Sequence, residues 1–196
     1  MKRALYLLTL LVYVPFSGFG QYTDAELKTM LETASERELV VENSRMLLEG
    51  YFYHASLVAD KLLEFNPESA NYNYRRGYIY LDLNSDYIKA LPLLEKAVKD
   101  VSVNFDMYSP NEKSAAVDAY YHIARCYHLN HEIDKAKKYY HEFLEMTKGA
   151  STLIPFAKLK LKQCRVAQNL IANPKNYKVK NIGNVVNTPH PEYSPV

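Results

Sequence analysis

Along most of the chain, apolar residues recur at the three- and four-residue spacing of α-helices rather than the alternation of strands. Thr23-Asp24-Ala25-Glu26 has the form of a capping box and starts the first helical stretch. Helix formers then continue to Phe65, interrupted only at Gly50, until Asn66-Pro67 stops the run. A second helical pair covers about Ser69 to Val101 and turns at Asn84-Ser85-Asp86. After a loop over Ser102 to Tyr108, Ser109-Pro110-Asn111-Glu112 restarts a helix, with Pro in its first turn and Glu at the capping position. This third pair runs to about Lys148, where Gly149 supplies the stop. A last amphipathic helix covers about Thr152 to Ala172 and ends before Pro174. No segment before the tail reads as a strand.

The helical pairs are copies of one another. Ala55, Ala90 and Ala136 occupy one position of the second helix, each followed by further small or apolar residues such as Ala59, Ala97 and Tyr140. In the first helices, Gly77 with Tyr80 corresponds to Ala124 with Tyr127. A small residue lets two helices approach closely while the aromatic fills the space beside it. This alternation resembles the tetratricopeptide repeat, whose period is about 34 residues. The expected fold is therefore all-α: a solenoid of about three helical pairs, with the 152–172 helix as a solvent-facing cap and an extended C-terminal tail. The first copy is degenerate, with Asn43 where the small residue belongs.

Charge distribution narrows the class. Lys plus Arg total 24 and Asp plus Glu 22, but Lys2 and Arg3 lie in an acid-free opening, so the remainder is neutral. A neutral chain has no polybasic footprint for nucleic acid. Met1-Lys2-Arg3 is a short positive region, Ala4 to Phe16 is apolar, and Gly18 and Gly20 stand where signal peptidase needs small residues. Residues 1–20 read as a signal peptide, 21–172 as the helical domain and 173–196 as an extended linker. Thirteen apolar residues are too few to span a bilayer, and no other stretch is apolar enough. The chain is therefore expected to reach the periplasm without a transmembrane helix. In that oxidising destination Cys126 and Cys164 either form a disulfide or lie as two separate buried thiols.

Candidate chemistry lies on the concave surface that the first helices of such an array line. In register with Gly77 and Ala124, the groove-facing residues are Tyr74 and Tyr78 in the second pair, and Tyr121, Arg125 and His128 in the third. Tyr74 and Tyr78, like Tyr121 and Arg125, are four residues apart, which puts each pair on one helical face. Tyrosine and arginine offer large contact area with a hydrogen-bonding tip, so these residues are expected to form a contiguous exposed patch for a protein partner. The same tyrosines could instead pack against adjacent helices. The Lys and Asn clamp of chaperone-binding repeat proteins is absent at these positions. His122, His128, His131 and His141 do not form a metal-ligand pattern, and His131-Glu132 and His141-Glu142 do not extend to HExxH. With no phosphate loop, nucleophile elbow or paired-Cys motif, no catalysis, cofactor or metal is expected.

Three stretches carry a closer resemblance. They are Asn73 to Leu81, Lys89 to Val98 with Pro92 inside a helix, and Ala119 to Asn130. Together with Val179 to Thr188 and Glu192-Tyr193-Ser194-Pro195-Val196, they resemble exported Bacteroidota proteins that join a tetratricopeptide region to a WD40-like propeller and an OmpA-like domain. Here the resemblance ends at the propeller entry. It implies the partner-binding arm of an outer-membrane-associated envelope protein, linked in some relatives to type IX secretion. Peptidoglycan would be gripped only through domains that no residue here matches. A free-standing periplasmic adaptor and a glycan-binding accessory of an envelope hydrolase are the alternatives.

Overall fold

A computed structural model describes residues 22–83, 85–149, 151–176, 178, 180 and 183. The leader expected at 1–20 and the stretch from 184 onward lie outside the described residues. The helices are α1 (Asp24–Thr33), α2 (Glu36–Glu49), α3 (Phe52–Phe65), α4 (Ala70–Leu83), α5 (Tyr87–Ala97), α6 (Asp118–Leu129), α7 (Ile133–Thr147) and α8 (Ile154–Ala172). Between α5 and α6, β1 (Val101–Ser102) and β2 (Ala115–Ala116) form a short parallel bridge, pairing Val101 with Ala115 and Ser102 with Ala116.

The opening run is two helices, not one. Thr23 caps α1 with Glu26 as expected, but Ser35 and Glu38 form a second capping box that starts α2. Each Ser or Thr hydroxyl accepts from the third backbone N–H while the glutamate returns to the cap N–H, and two such boxes fix two helix starts. Gly50 ends α2 in the left-handed region at φ 81°, which a side chain would resist. The hairpins α2–α3, α4–α5 and α6–α7 then stack in order, with α1 against α3 and α8 against α7.

The small residues lie at the contacts their register implies. Ala55, Ala90, Ala97, Ala124 and Ala136 are fully buried. A Cβ on Gly77 would stand 2.8 Å from Leu94 Cγ, so α4 and α5 meet where only glycine fits. On the outside of the third pair, Tyr127 stacks on Tyr139 at 5.5 Å and 4°, and its hydroxyl donates to Glu95 on α5. Arg76 on α4 makes a two-point pair with Asp60 on α3 and lies 3.9 Å over the Tyr80 ring.

One expectation is corrected. Ser109-Pro110-Asn111-Glu112 does not restart a helix. Glu112 spends its carboxylate on the backbone N–H groups of Asp106 and Ser114, which folds the segment into a compact loop, and α6 begins only at Asp118. The stretch from Thr23 to Ala172 is consequently not helical throughout. As the last helix of the array, α8 packs through Ala157, Leu161 and Cys164, and its outer face mixes exposed Lys158, Lys162 and Arg165 with Phe156, Leu159, Val166 and Leu170. Of the two alternatives for Cys126 and Cys164, the structure has the separate thiols, each fully buried. Burial pushes the Cys126 thiol up to about 12, as befits a small core residue.

The apolar interior forms two clusters, one built on α1 to α4 and one on α4 to α8. Beside them lies a polar knot centred on Arg75, whose side chain is 1% exposed. Its Nε donates to Asn71 Oδ1 at 2.7 Å, Nη1 to Asn43 Oδ1 at 3.1 Å and Ser44 Oγ at 2.8 Å, and Nη2 to the Met107 carbonyl at 2.6 Å. Asn43, the residue that makes the first repeat degenerate, also donates to the Ala55 carbonyl on α3 at 2.7 Å. The Asn71 amide donates to the Glu112 carbonyl and its backbone N–H to the Lys113 carbonyl, pinning the loop to the start of α4.

Two stability outcomes follow from this packing. Ala136→Leu should lower stability by about 1–3 kcal/mol because the added methylenes find no space. In the same urea titration, the exposed Lys138→Ala should stay within about 0.5 kcal/mol. Arg75→Lys should cost about 2–4 kcal/mol, since a lysine keeps the buried charge but cannot present the guanidinium's donors to four acceptors. It should also speed hydrogen exchange in the 103–114 loop, whereas Arg45→Lys, in a solvated surface pair, should do neither.

Candidate functional site

The first helices of the three pairs line the inner surface, and the loop between β1 and β2 floors it. Phe105 of that loop sets its ring edge-on against Tyr74 at 5.8 Å, and Met107 lies beside Arg75. The result is a cavity of about 370 Å³ between α2, α4, the loop, α6 and the start of α8, lined among others by Tyr74, Tyr78, Asp82, Asp118 and His122.

Most residues singled out from the sequence are brought together. Tyr74 and Tyr78 stand 6.5 Å apart, and His122 touches both, at 6.2 and 5.2 Å. His122 also meets Tyr121 edge-on at 5.6 Å, and the Arg125 guanidinium lies 5.9 Å over the Tyr121 ring. Arg125 forms an ion pair with Asp82 across α4 and α6. The patch is contiguous, but its expected exposure is only partial. Tyr74 is 7% and Tyr121 6% exposed, because Phe105 covers the first while Tyr140 and Phe143 pack on the second. Tyr78 and Arg125 remain partly exposed. His128 does not join them. It packs on Tyr140 and points a ring nitrogen at the Cys164 sulfur, 3.8 Å away on α8.

Sequence reading missed the centre of the site. His122 enters the sequence reading only among histidines that form no metal-ligand pattern, yet it is buried and its Nδ1 has no hydrogen-bond partner among the described residues, lying 3.9 Å from Asp82 Oδ2. Burial pulls its pKa down to about 4, with Asp82 opposing the shift and Arg125 adding to it. Asp118, the first residue of α6, is half-buried; burial raises its pKa, and among the described residues only Ser151 Oγ, at 3.5 Å, donates to its carboxylate. Its place two turns before Arg125 on α6 is a helical spacing that the sequence carries, whereas its part in the cavity wall is not. Among the described residues no group of three His, Cys, Asp or Glu side chains is arranged to hold a metal ion. No helix among them is long and apolar enough to cross a membrane.

The sign of the His122 shift gives a pH dependence. An unfolded histidine titrates near 6.5, so above that pH both states are neutral and the native state has its full stability. As pH falls toward 4 only the unfolded chain gains the proton, and stability is lost. Between pH 7.5 and 4.5 the wild-type protein should lose about 2–3 kcal/mol more than His122→Phe, measured by urea midpoints at the two values. Equal losses would show that the imidazole is not held neutral.

No family model and no curated protein sequence matches this chain. Solved structures do match its backbone. The Sgt2 TPR domain from Aspergillus fumigatus is 17% identical, with 76% of this chain and 91% of that chain covered and a TM-score of 0.52. For the first TPR domain of the human RPAP3 protein the identity is 17%, the coverage 71% and 97%, and the TM-score 0.51. The first TPR of Spaghetti (RPAP3), solved bound to the HSP90 peptide SRMEEVD, is 17% identical over 68% of this chain and 96% of that chain, with a TM-score of 0.50. The fold is thus an all-α tetratricopeptide solenoid.

Proposed function

We propose that this chain is a non-enzymatic interaction module that receives a segment of a partner protein in its concave groove, in the periplasm, as part of an outer-membrane-associated envelope protein. One observation carries the groove assignment. Tyr74, Tyr78, His122 and Asp82, drawn from two repeats, converge on one 370 Å³ cavity at the inner surface, with Arg125 paired to Asp82 at its edge. A cavity with aromatic walls and a few oriented charges is built for a side chain that must be both gripped and discriminated. The same fold holds a peptide in the Spaghetti structure.

The cellular setting rests on the sequence. The Lys2-Arg3 start, the apolar stretch to Phe16 and the small residues Gly18 and Gly20 support export. The propeller-like Tyr193-Ser194-Pro195-Val196 and the repeat stretches support the envelope family, and through it a role beside type IX secretion.

Tyr78 and Arg125 are the partly exposed members of the patch, so their truncation should spare the fold. Affinity capture from bacterial envelope extract should recover the partner at least about fivefold less with Tyr78→Ala plus Arg125→Ala than with the wild-type chain, the change expected from losing one central anchor. Identical recovery by a double variant with unchanged circular dichroism would place binding away from the groove.

A further inference from the structure

We propose that the groove cavity takes a basic side chain, a lysine or arginine of the partner segment, held over the Tyr74 and Tyr78 rings and against the Asp118 carboxylate. The inference rests on the groove reading and names the chemistry of its occupant.

Three unmatched features face the same space. The first is charge. Asp82 is matched by Arg125, and Arg75 has its donors committed to Asn71, Asn43, Ser44 and Met107. Asp118 has no such match: among the described residues no Lys, Arg or His forms an ion pair with it, and Ser151 lies at the long limit of a hydrogen bond. A carboxylate already partly stripped of water, with no cation beside it, gains most from a cation brought by a ligand, because its desolvation has been met in folding.

The second feature is His122, a residue of the cavity wall whose buried Nδ1 has no hydrogen-bond partner among the described residues. In a neutral imidazole with its proton on Nε2, this nitrogen is an acceptor. An ammonium or guanidinium carries several N–H donors and can pair with Asp118 while turning another toward a further acceptor of the wall, which a single hydroxyl or an apolar group cannot. An anionic side chain would instead meet the Asp118 carboxylate, while the cations nearby, Arg75 in the same wall and Arg125 on Asp82, are already engaged.

The third is the rings. This chain uses the pairing repeatedly: Arg45 lies over Tyr22, Arg76 over Tyr80, Arg125 over Tyr121, Lys135 over Tyr127 and Lys138 over Tyr139. Among the described residues no cation lies over Tyr74 or Tyr78, although the two rings stand 6.5 Å apart and tilt by only 30°. Two ring faces at that separation lie within the roughly 6 Å reach at which a cation is attracted by an aromatic quadrupole.

The test uses the whole chain and three fluorescein-labelled degenerate peptide pools that differ only in a central lysine, norleucine or glutamate, read by fluorescence anisotropy. The wild-type chain should bind the lysine pool about tenfold more tightly than the norleucine pool, and the glutamate pool most weakly. Asp118→Asn and Tyr78→Leu should each reduce the lysine advantage to about threefold or less, while Tyr78→Phe, which keeps the ring, should retain it. Equal binding of the lysine and norleucine pools by the wild type, or an undiminished lysine preference in Asp118→Asn, would overturn the assignment. Binding of the norleucine or glutamate pool that Tyr78→Leu weakens would leave the groove reading standing and this one refuted. If none of the pools binds, both fall. The comparison between pools on the wild type needs no variant, so a variant that fails to fold does not rescue the idea.

Discussion

A single guanidinium, buried without a carboxylate partner, organises this array. Moving a charge into a protein interior is expensive unless its donors are all met. Arg75 is met by neutral oxygens alone, contributed by α2, α4 and the loop after β1. None of those elements can shift without exposing an unpaired charge to an apolar interior. Burial pulls the guanidinium down to about 10, which still leaves it charged at neutral pH. The degenerate residues of the first repeat become intelligible on this account. Asn43 stands where a small apolar residue would pack, because the position must accept from Arg75 and donate to Ala55.

The loop that Arg75 secures changes what the inner surface is. Three stacked hairpins alone would present a broad concave channel. With Phe105 laid against Tyr74 and Met107 drawn in beside Arg75, part of that channel is filled and the remainder becomes a bounded cavity. The short β1–β2 bridge and the two hydrogen bonds to Glu112 hold the loop in that place. Tyr74 thereby passes from a contact surface to a wall, and Tyr78, one turn further along α4, takes the accessible position.

The sequence made the repeat legible because the repeat is local. Small residues at Gly77, Ala90, Ala124 and Ala136 recur at fixed offsets, and each reports a close approach within its own hairpin. The break before Ser35 was equally local, a second capping box one step from the first, and a continuous run of helix formers masked it. The site was only half legible. Register placed Tyr74, Tyr78, Tyr121 and Arg125 on one side, but exposure is decided by residues far along the chain, such as Phe105 for Tyr74 and Phe143 for Tyr121. Asp118 and His122 escaped for the same reason, since register gives their face of α6 but not the burial and the cavity that set them apart. Ser109-Pro110-Asn111-Glu112 carries the pattern of a helix start, and only the folded loop shows Glu112 bonding to Asp106 and Ser114 instead.

Solenoids are ordinarily quasi-one-dimensional: each repeat touches its neighbours and no others, so ends can fray while the middle holds. The Ser44 hydroxyl on α2 also lies within bonding reach of the Met107 carbonyl, 63 positions away and beyond the whole second hairpin. That contact, with the Arg75 bond to the same carbonyl, closes the chain on itself across a repeat. The first hairpin cannot peel away as an independent unit without releasing the loop ahead of the third. The array should behave less as a row of nearest-neighbour links than as one cooperative block, and the shape of its groove is set by that block as a whole rather than by any one repeat.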